Sequence, residues 1–311
     1  MRWSEALPDL DMTVLADDGT PLAGTLTLPA GRGPHPAVLL LHGSGPLDRD
    51  GNTPRLPTNL GPSLASALAA EGIGTLRYDR RGVGATPGDW QATGFTGNCQ
   101  DAAAAVRALA AHPAVRADAV GAVGHSEGAL HAMSLAAHQE VRAVVLLAGY
   151  ARLGEEALRW QARSIVRSLP APVRLLRRPL AAVGNRVIDR VKKTDTDVTR
   201  IAGFPVNARW LREMLVHDTR DDLASAKARV LAVTGDKDIQ VDPADLAEIA
   251  RLVPGGAETH RVPGLTHVLR HDPAHHTLRS YRRLLREPVD SGLLTLVGTW
   301  LARELHAVTG D

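Results

Sequence analysis

Ser126 lies at the centre of Gly124-His125-Ser126-Glu127-Gly128, between an apolar β-type run, Ala119 to Val123, and an alanine-rich helical run, Ala129 to Ala137. Strand, G-x-S-x-G and helix, in that order, is the context of a nucleophile elbow. The turn is so tight that the residues two positions either side of the serine must lack bulk, and glycine fills both places. Such a turn lifts the hydroxyl above the sheet edge. The helix that starts there aims backbone N–H groups at developing negative charge. A bare G-x-S-x-G also fits an ordinary glycine-rich β-to-α connection; the flanking runs favour the catalytic reading.

A serine that transfers acyl groups needs a base, and the base needs an orienting acid. Behind an elbow of this kind the chain order is serine, acid, histidine. Val230 to Asp238 is a buried-strand run ending in Gly235, Asp236 and Asp238. Thr259 to His267 is a second short strand that ends in a loop histidine. Both sets fall just past the C-terminal ends of strands, where catalytic groups gather in open parallel sheets. His267 is the candidate base. The chain has 13 histidines, so a lone one says little. His260 reads as part of the strand, His271, His275 and His276 lie beyond the loop, and His42 and His125 read as loop supports. No H-E-x-x-H or comparable spacing points to a metal, and neither a metal nor a cofactor is expected. Strand position alone leaves Asp236 and Asp238 both open as the acid.

These residues need a scaffold, and the hydrophobic pattern predicts one. Met12–Ala16 and Leu22–Leu28 read as a strand pair around the turn Asp17-Asp18-Gly19-Thr20. Ala37–Leu41 is continuously apolar, as a strand covered on both faces must be. Leu60–Glu71 has helical periodicity and a Gly72 stop. Ile73–Tyr78 is a strand, Asn98–His112 a helix, and Val141–Ala148 the strand after the elbow helix. The acid strand, a helix near Pro243–Leu252, the histidine strand and a helix over Ser291–His306 complete an α/β alternation. The stretch from Gly149 to about Leu223 interrupts it and is too long for one connection. Helical patterns cover Glu155–Ser168, Val173–Val191 and Val206–Val216, divided by Pro170, Pro172, Pro179 and the region of Asp195. Aromatic residues make up only 3% of the chain, yet this stretch holds Trp160, Phe204 and Trp210. They fit either its own small core or an apolar acyl pocket, for which Trp210 is the candidate substrate contact.

Four blocks then match one superfamily in order, over almost the whole chain. His42-Gly43-Ser44-Gly45-Pro46 after a strand resembles the oxyanion loop of α/β-hydrolases, and Asp79-Arg80-Arg81-Gly82-Val83-Gly84 resembles their D-x-R-G-x-G turn. The elbow is third, and the Gly-x-x-Asp and histidine loops close the set. His42 to Asn52 together with G-H-S-E-G is similar to bacterial esterases grouped with dienelactone-hydrolase-like and serine-aminopeptidase-like enzymes. Arg286-Glu287-Pro288-Val289-Asp290 before an apolar helix resembles that group too.

The resemblance implies an α/β-hydrolase fold: a mostly parallel central sheet, helices on both faces, and one domain over residues 1–311 with a helical cap inserted at 150–222. It implies a Ser126, Asp238, His267 triad, the Gly-x-x-Asp pattern placing the acid at Asp238 and leaving Asp236 exposed or capping the loop. It implies oxyanion donors at the backbone N–H groups of Glu127 and Ser44, whose side chains are then freer to vary. Asp48, Arg49, Asp50, Arg80 and Arg81 are expected to brace the neighbouring loops. The implied reaction is hydrolysis of a carboxylic ester through an acyl-enzyme. A peptidase or amidase needs an anchor for the substrate amine, for which Glu155, Glu156 and Glu213 are the candidates. A thioesterase or acyltransferase would use the same triad. A non-catalytic binding protein on this scaffold is disfavoured, because every triad position is filled.

Bulk properties bound the rest. A chain of 311 residues is long enough for one large α/β domain or two small ones, and motifs running from His42 to His267 in one scheme favour one; an apolar fraction of 44% is ordinary for a globular protein. A net charge of +2 argues against nucleic acid or an anionic membrane as the main partner, and a small-molecule acyl substrate is expected instead. A homodimer is left open. The denser cluster Arg174, Arg177, Arg178, Arg186, Arg190, Lys192 and Lys193 reads as a solvated helix face. A single cysteine, Cys99, excludes an internal disulfide and lacks the context of a nucleophile. Met1 to Glu5 begins no apolar signal core and no run approaches a membrane span, so a cytoplasmic location is expected.

Overall fold

The computed structural model describes residues 9–138, 141–169, 177–274 and 277–307. Twelve strands lie among them: β1 (Asp9–Leu15), β2 (Pro21–Thr27), β3 (His35–Leu41), β4 (Asn52–Thr53), β5 (Leu56–Pro57), β6 (Gly74–Tyr78), β7 (Val115–His125), β8 (Ala143–Leu147), β9 (Val198–Ile201), β10 (Phe204–Asn207), β11 (Arg229–Gly235) and β12 (Ala257–Val262). Eight of them form one sheet in the order β1-β2-β6-β3-β7-β8-β11-β12. β1 and β2 pair antiparallel, β2 meets β6 antiparallel, and every pairing from β6 to β12 is parallel.

Continuous apolar strands are explained by cover on both faces. Along β3, Ala37, Leu39 and Leu41 enter one core, while Val38 and Leu40 enter the other. β8 divides the same way, Val144 and Leu146 against Val145 and Leu147. The first core is closed by the helices Phe95–Ala110 and Glu127–Ala137, the second by Leu60–Ala70 and Ser291–His306. Burying each such Leu or Val contributes roughly 1.5–3 kcal/mol, which makes this layered packing the stable platform for the loops. Asp290 starts the last helix by accepting the Leu293 N–H at 2.7 Å, a side-chain cap of the usual kind.

The stretch between β8 and β11 carries the helices Gly154–Ser168, Arg177–Lys192, Ala208–Val216 and Thr219–Ser225. It also carries the antiparallel hairpin β9–β10, which the helical patterns of the stretch did not announce. Trp210 lies on a helix that starts at Ala208, not Val206, because Val206 and Asn207 are the end of β10 and Asn207 caps the helix. The beginning of the predicted Val173–Val191 helix, with Pro170, Pro172 and Arg174, lies outside the described residues, as do Met1 to Glu5, His275 and His276. Arg186, Arg190, Lys192 and Lys193 are exposed, a solvated face. Among the described residues no helix is long and apolar enough to cross a membrane.

Candidate active site

β7 ends at His125 and a helix begins at Glu127, so Ser126 alone makes the turn. Its backbone is held at φ 56 and ψ −119, a conformation costly for a residue with a side chain. The strain is held by close packing. A Cβ on Gly124 would overlap the Gly128 carbonyl, and one on Gly128 would overlap the carbonyl of Leu41 on β3. The Ser126 N–H donates to the Leu147 carbonyl at 2.9 Å, pinning the turn to β8.

The histidine and acid loops converge on this hydroxyl. His267 Nε2 lies 3.2 Å from Ser126 Oγ, and its Nδ1 lies 2.8 Å from Asp238 Oδ2. The other oxygen of Asp238 accepts the N–H groups of Gln240 at 2.7 Å and Val241 at 2.9 Å. A buried carboxylate so satisfied is fixed in place and presents one oxygen to the imidazole. Asp236 is exposed and accepts the Gly264 N–H at 2.6 Å, tying the acid loop to the histidine loop instead of touching His267. Arg270 braces the histidine loop from beneath and was not singled out in the sequence. It is buried and donates to the carbonyls of Val268, Glu287 and Thr58. Burial alone lowers it to about 10, so it still carries its charge at neutral pH.

The loop after β3 is tied down through residues the sequence marks. His42 Nε2–H donates to the Arg49 carbonyl at 2.7 Å. Arg49 pairs with Asp79 at 2.8 Å, and Asp48 accepts the N–H groups of Asp50 and Asn52. A Cβ on Gly43 would already touch the Ser126 Cβ at 3.4 Å, and Ser44 lines the same cavity as Ser126. Arg81 pairs with Asp101 and Asp18 and braces its own turn.

Glu127 overturns one expectation. Its side chain is not free to vary but is buried between three partners. Arg80 Nη1 is 3.3 Å from Oε1, His131 Nε2 is 3.0 Å from the same oxygen, and Asn98 Nδ2 donates to it at 3.4 Å. Burial pushes the carboxyl up. Arg80, His131 and the Trp210 indole more than offset this and hold it down at about 2, so Glu127 is a carboxylate. Cys99 sits beside this cluster, Sγ 3.0 Å from His131 Nδ1, and burial drives its thiol up to about 12, away from nucleophilic chemistry.

Two cavities meet at Ser44. One of about 110 Å³ holds Ser126, His267, Leu269 and Tyr281. The other, of about 340 Å³, is lined by Arg80, Trp90, Asn98, Val206 and Trp210. Trp210 therefore stands in a wall next to the loop that carries Ser44, though not in the cavity of Ser126 itself. The amine-anchor candidates stand elsewhere. Glu155 pairs with Arg159, Glu213 with Arg209 and the Thr96 N–H, and Glu156 lines a surface cleft with Arg152 and Arg220.

Two histidines of this region give a stability prediction. Desolvation lowers His42 from 6.5 to about 4, and desolvation followed by the nearby His267 lowers His125 to about 3. The unfolded chain then binds more protons below pH 6.5, so stability is full above that pH and is lost as pH falls toward 4. Each depressed histidine should remove about 2 kcal/mol between pH 7 and pH 5, at about 1.4 kcal/mol per pH unit below 6.5. Urea unfolding at both pH values is expected to show a smaller loss in His42→Gln than in the wild type. An equal loss contradicts the assignment.

Residues 60–274 match the profile of the serine aminopeptidase S33 family. The esterase EstD of Thermotoga maritima is 34% identical over 154 residues, a match covering 50% of this chain but only 35% of EstD. Est1E from Butyrivibrio proteoclasticus, solved with ferulic acid bound, superposes with a TM-score of 0.66 at 19% identity over 95% of this chain and 100% of that one. An esterase of Pyrococcus furiosus superposes with a TM-score of 0.61 at 17% identity over 98% and 95%.

Proposed function

The chain belongs to the serine aminopeptidase S33 family and has the α/β-hydrolase fold, and from that premise we propose that it is a serine esterase acting through an acyl-enzyme on Ser126. The observation that carries this reading is the relay Asp238–His267–Ser126 on a strained elbow that opens into a cavity. Ser126 Oγ attacks the carbonyl carbon while His267 Nε2 takes its proton. Asp238 keeps the proton on Nδ1 and stabilises the imidazolium that forms. The N–H groups of Glu127 and Ser44 receive the oxyanion, a contribution of about 10² to 10³ in rate per donor. His267 then gives its proton to the leaving alkoxide and activates the water that releases the acid. The substrate is a small-molecule acyl compound handled in the cytoplasm, without nucleic acid or membrane as a partner. The insertion acts as a cap that excludes water and selects the acyl group.

An ester is favoured over an aminoacyl substrate by charge. Among the described residues neither cavity beside Ser44 has an Asp or Glu in its wall, so a substrate ammonium finds no anchor there. The similarity of half the chain to EstD points the same way. A panel of p-nitrophenyl esters and aminoacyl p-nitroanilides tests this. Esters are expected to be turned over at least a hundredfold faster in kcat/KM, and the reverse order would make the chain an aminopeptidase.

On this reading the acyl group lies along Trp210, in the 340 Å³ cavity that this residue lines. A wall contributes about 25 cal/mol per Å² of apolar surface it covers. Trp210→Ala should therefore penalise long acyl chains over acetate by about 1–3 kcal/mol. An acyl series from C2 to C10 on both proteins measures it. Parallel loss at all lengths would mean that Trp210 only supports the cap.

A further inference from the structure

Arg80 and Glu127 each occupy a place that its own motif leaves unspecified. Arg80 is the second residue of Asp79-Arg80-Arg81-Gly82-Val83-Gly84, and Glu127 is the fourth of the elbow pentapeptide. They are far apart in sequence and come from different loops. The fold nevertheless brings Arg80 Nη1 to 3.3 Å from Glu127 Oε1, with 13% and 2% of the two side chains exposed. The other terminal nitrogen, Nη2, donates to the main-chain carbonyl of His42 at 2.8 Å.

The two contacts of this one guanidinium fall on two particular segments. In the proposed mechanism Glu127 supplies the oxyanion donor from the elbow. His42 is two residues before Ser44, the donor assigned to the other side of the hole. An oxyanion hole works through donors held at fixed separation, and a displacement of about 1 Å can cost 10²-fold. Arg80 is a planar fork, so its two terminal nitrogens hold a fixed distance that a lysine cannot reproduce. It also offsets a carboxylate carried by the residue next to Ser126. Left unpaired there, that negative charge would oppose the oxyanion through a low-dielectric medium. His131, Asn98 and the Trp210 indole hold the same carboxylate, but among the described residues Arg80 is the one of these partners that also donates to the backbone of the Ser44 loop.

We propose that Arg80 is a positioning residue of the oxyanion hole: its guanidinium sets the spacing between the two backbone segments that supply donors and cancels the carboxylate beside the reacting serine. The inference rests on the esterase reading above. It reassigns Arg80 from a local turn brace to a link between both halves of the hole, and it explains why the residue after the nucleophile is an acid.

The test uses wild type, Arg80→Lys, Arg80→Met and the double variant Arg80→Met/Glu127→Gln. kcat and KM are measured on p-nitrophenyl butyrate, together with the rate of inactivation by an alkyl fluorophosphonate, whose P=O oxygen enters the same hole. Arg80→Met is expected to lose about 10²-fold in kcat and in inactivation rate, the scale of one lost donor, with KM within threefold. Arg80→Lys keeps the charge without the fork, and the double variant restores neutrality without the link. Each is expected to stand at least fivefold above Arg80→Met and below the wild type. Thermal unfolding checks that every variant is folded, and if Arg80→Met is not, Arg80→Lys against wild type carries the same comparison, with a loss expected in kcat and not in KM. A folded Arg80→Met within threefold of wild type in kcat, a loss confined to KM, or a double variant no better than Arg80→Met would overturn the proposal. A wild type inert to both the ester and the fluorophosphonate would overturn the esterase reading itself, and this inference with it.

Discussion

Ser126→Ala is expected to lower ester turnover by about 10⁴- to 10⁶-fold while leaving the protein folded. The loss is large because the proposed mechanism puts the covalent bond on this hydroxyl, and the nearby thiol is no substitute. Cys99, the chain's one thiol, is held protonated by burial and lies beside His131 instead of His267. The fold should survive because among the described residues the hydroxyl hydrogen-bonds only to His267, while the turn itself is held by the Ser126 N–H and by the packing of Gly124 and Gly128. Alanine must still adopt φ 56, so a modest stability change is compatible with this account. A variant within tenfold of wild-type kcat, with matching circular dichroism, would remove Ser126 from the chemistry.

Asp238→Asn should cost about 10⁴-fold in kcat, because asparagine can turn its NH₂ toward Nδ1 and favour the wrong imidazole tautomer. Asp236→Asn should stay within tenfold of wild type. Its exposed carboxylate accepts the Gly264 N–H, a contact that steadies the loop without touching the imidazole. Measuring both in parallel on one ester settles the order. The reverse order of damage would mean that the acid had been misplaced by two residues.

What was legible in the sequence follows a physical pattern. The elbow can be read because close packing forbids side chains at Gly124 and Gly128, so the glycines are written into the chain. The sheet can be read because strands buried on both faces, such as β3 and β8, must be apolar throughout. The hairpin β9–β10 was not seen. Its strands are short, and its turn uses Ala202 and Gly203, both at positive φ, where an Asn-Gly pair would have announced it. The helix Phe95–Ala110 begins a turn earlier than its alanine run suggests, starting beside Glu213, which accepts the Thr96 N–H from across the insertion. The burial of the Glu127 side chain was missed for a similar reason. Nothing local marks an acid that is paired by an arginine 47 positions earlier, and only the tertiary structure brings Arg80, Asn98 and His131 around it.

Stoichiometric labelling decides whether Ser126 is the nucleophile. The protein is treated with an alkyl fluorophosphonate, its remaining ester hydrolysis is followed, and the intact chain and its peptides are weighed. The account predicts one phosphonyl group per chain, on the peptide containing Ser126, appearing at the rate at which activity disappears, and no label on Ser126→Ala. Full hydrolysis by the labelled protein, or activity lost through label on a different residue, would contradict it.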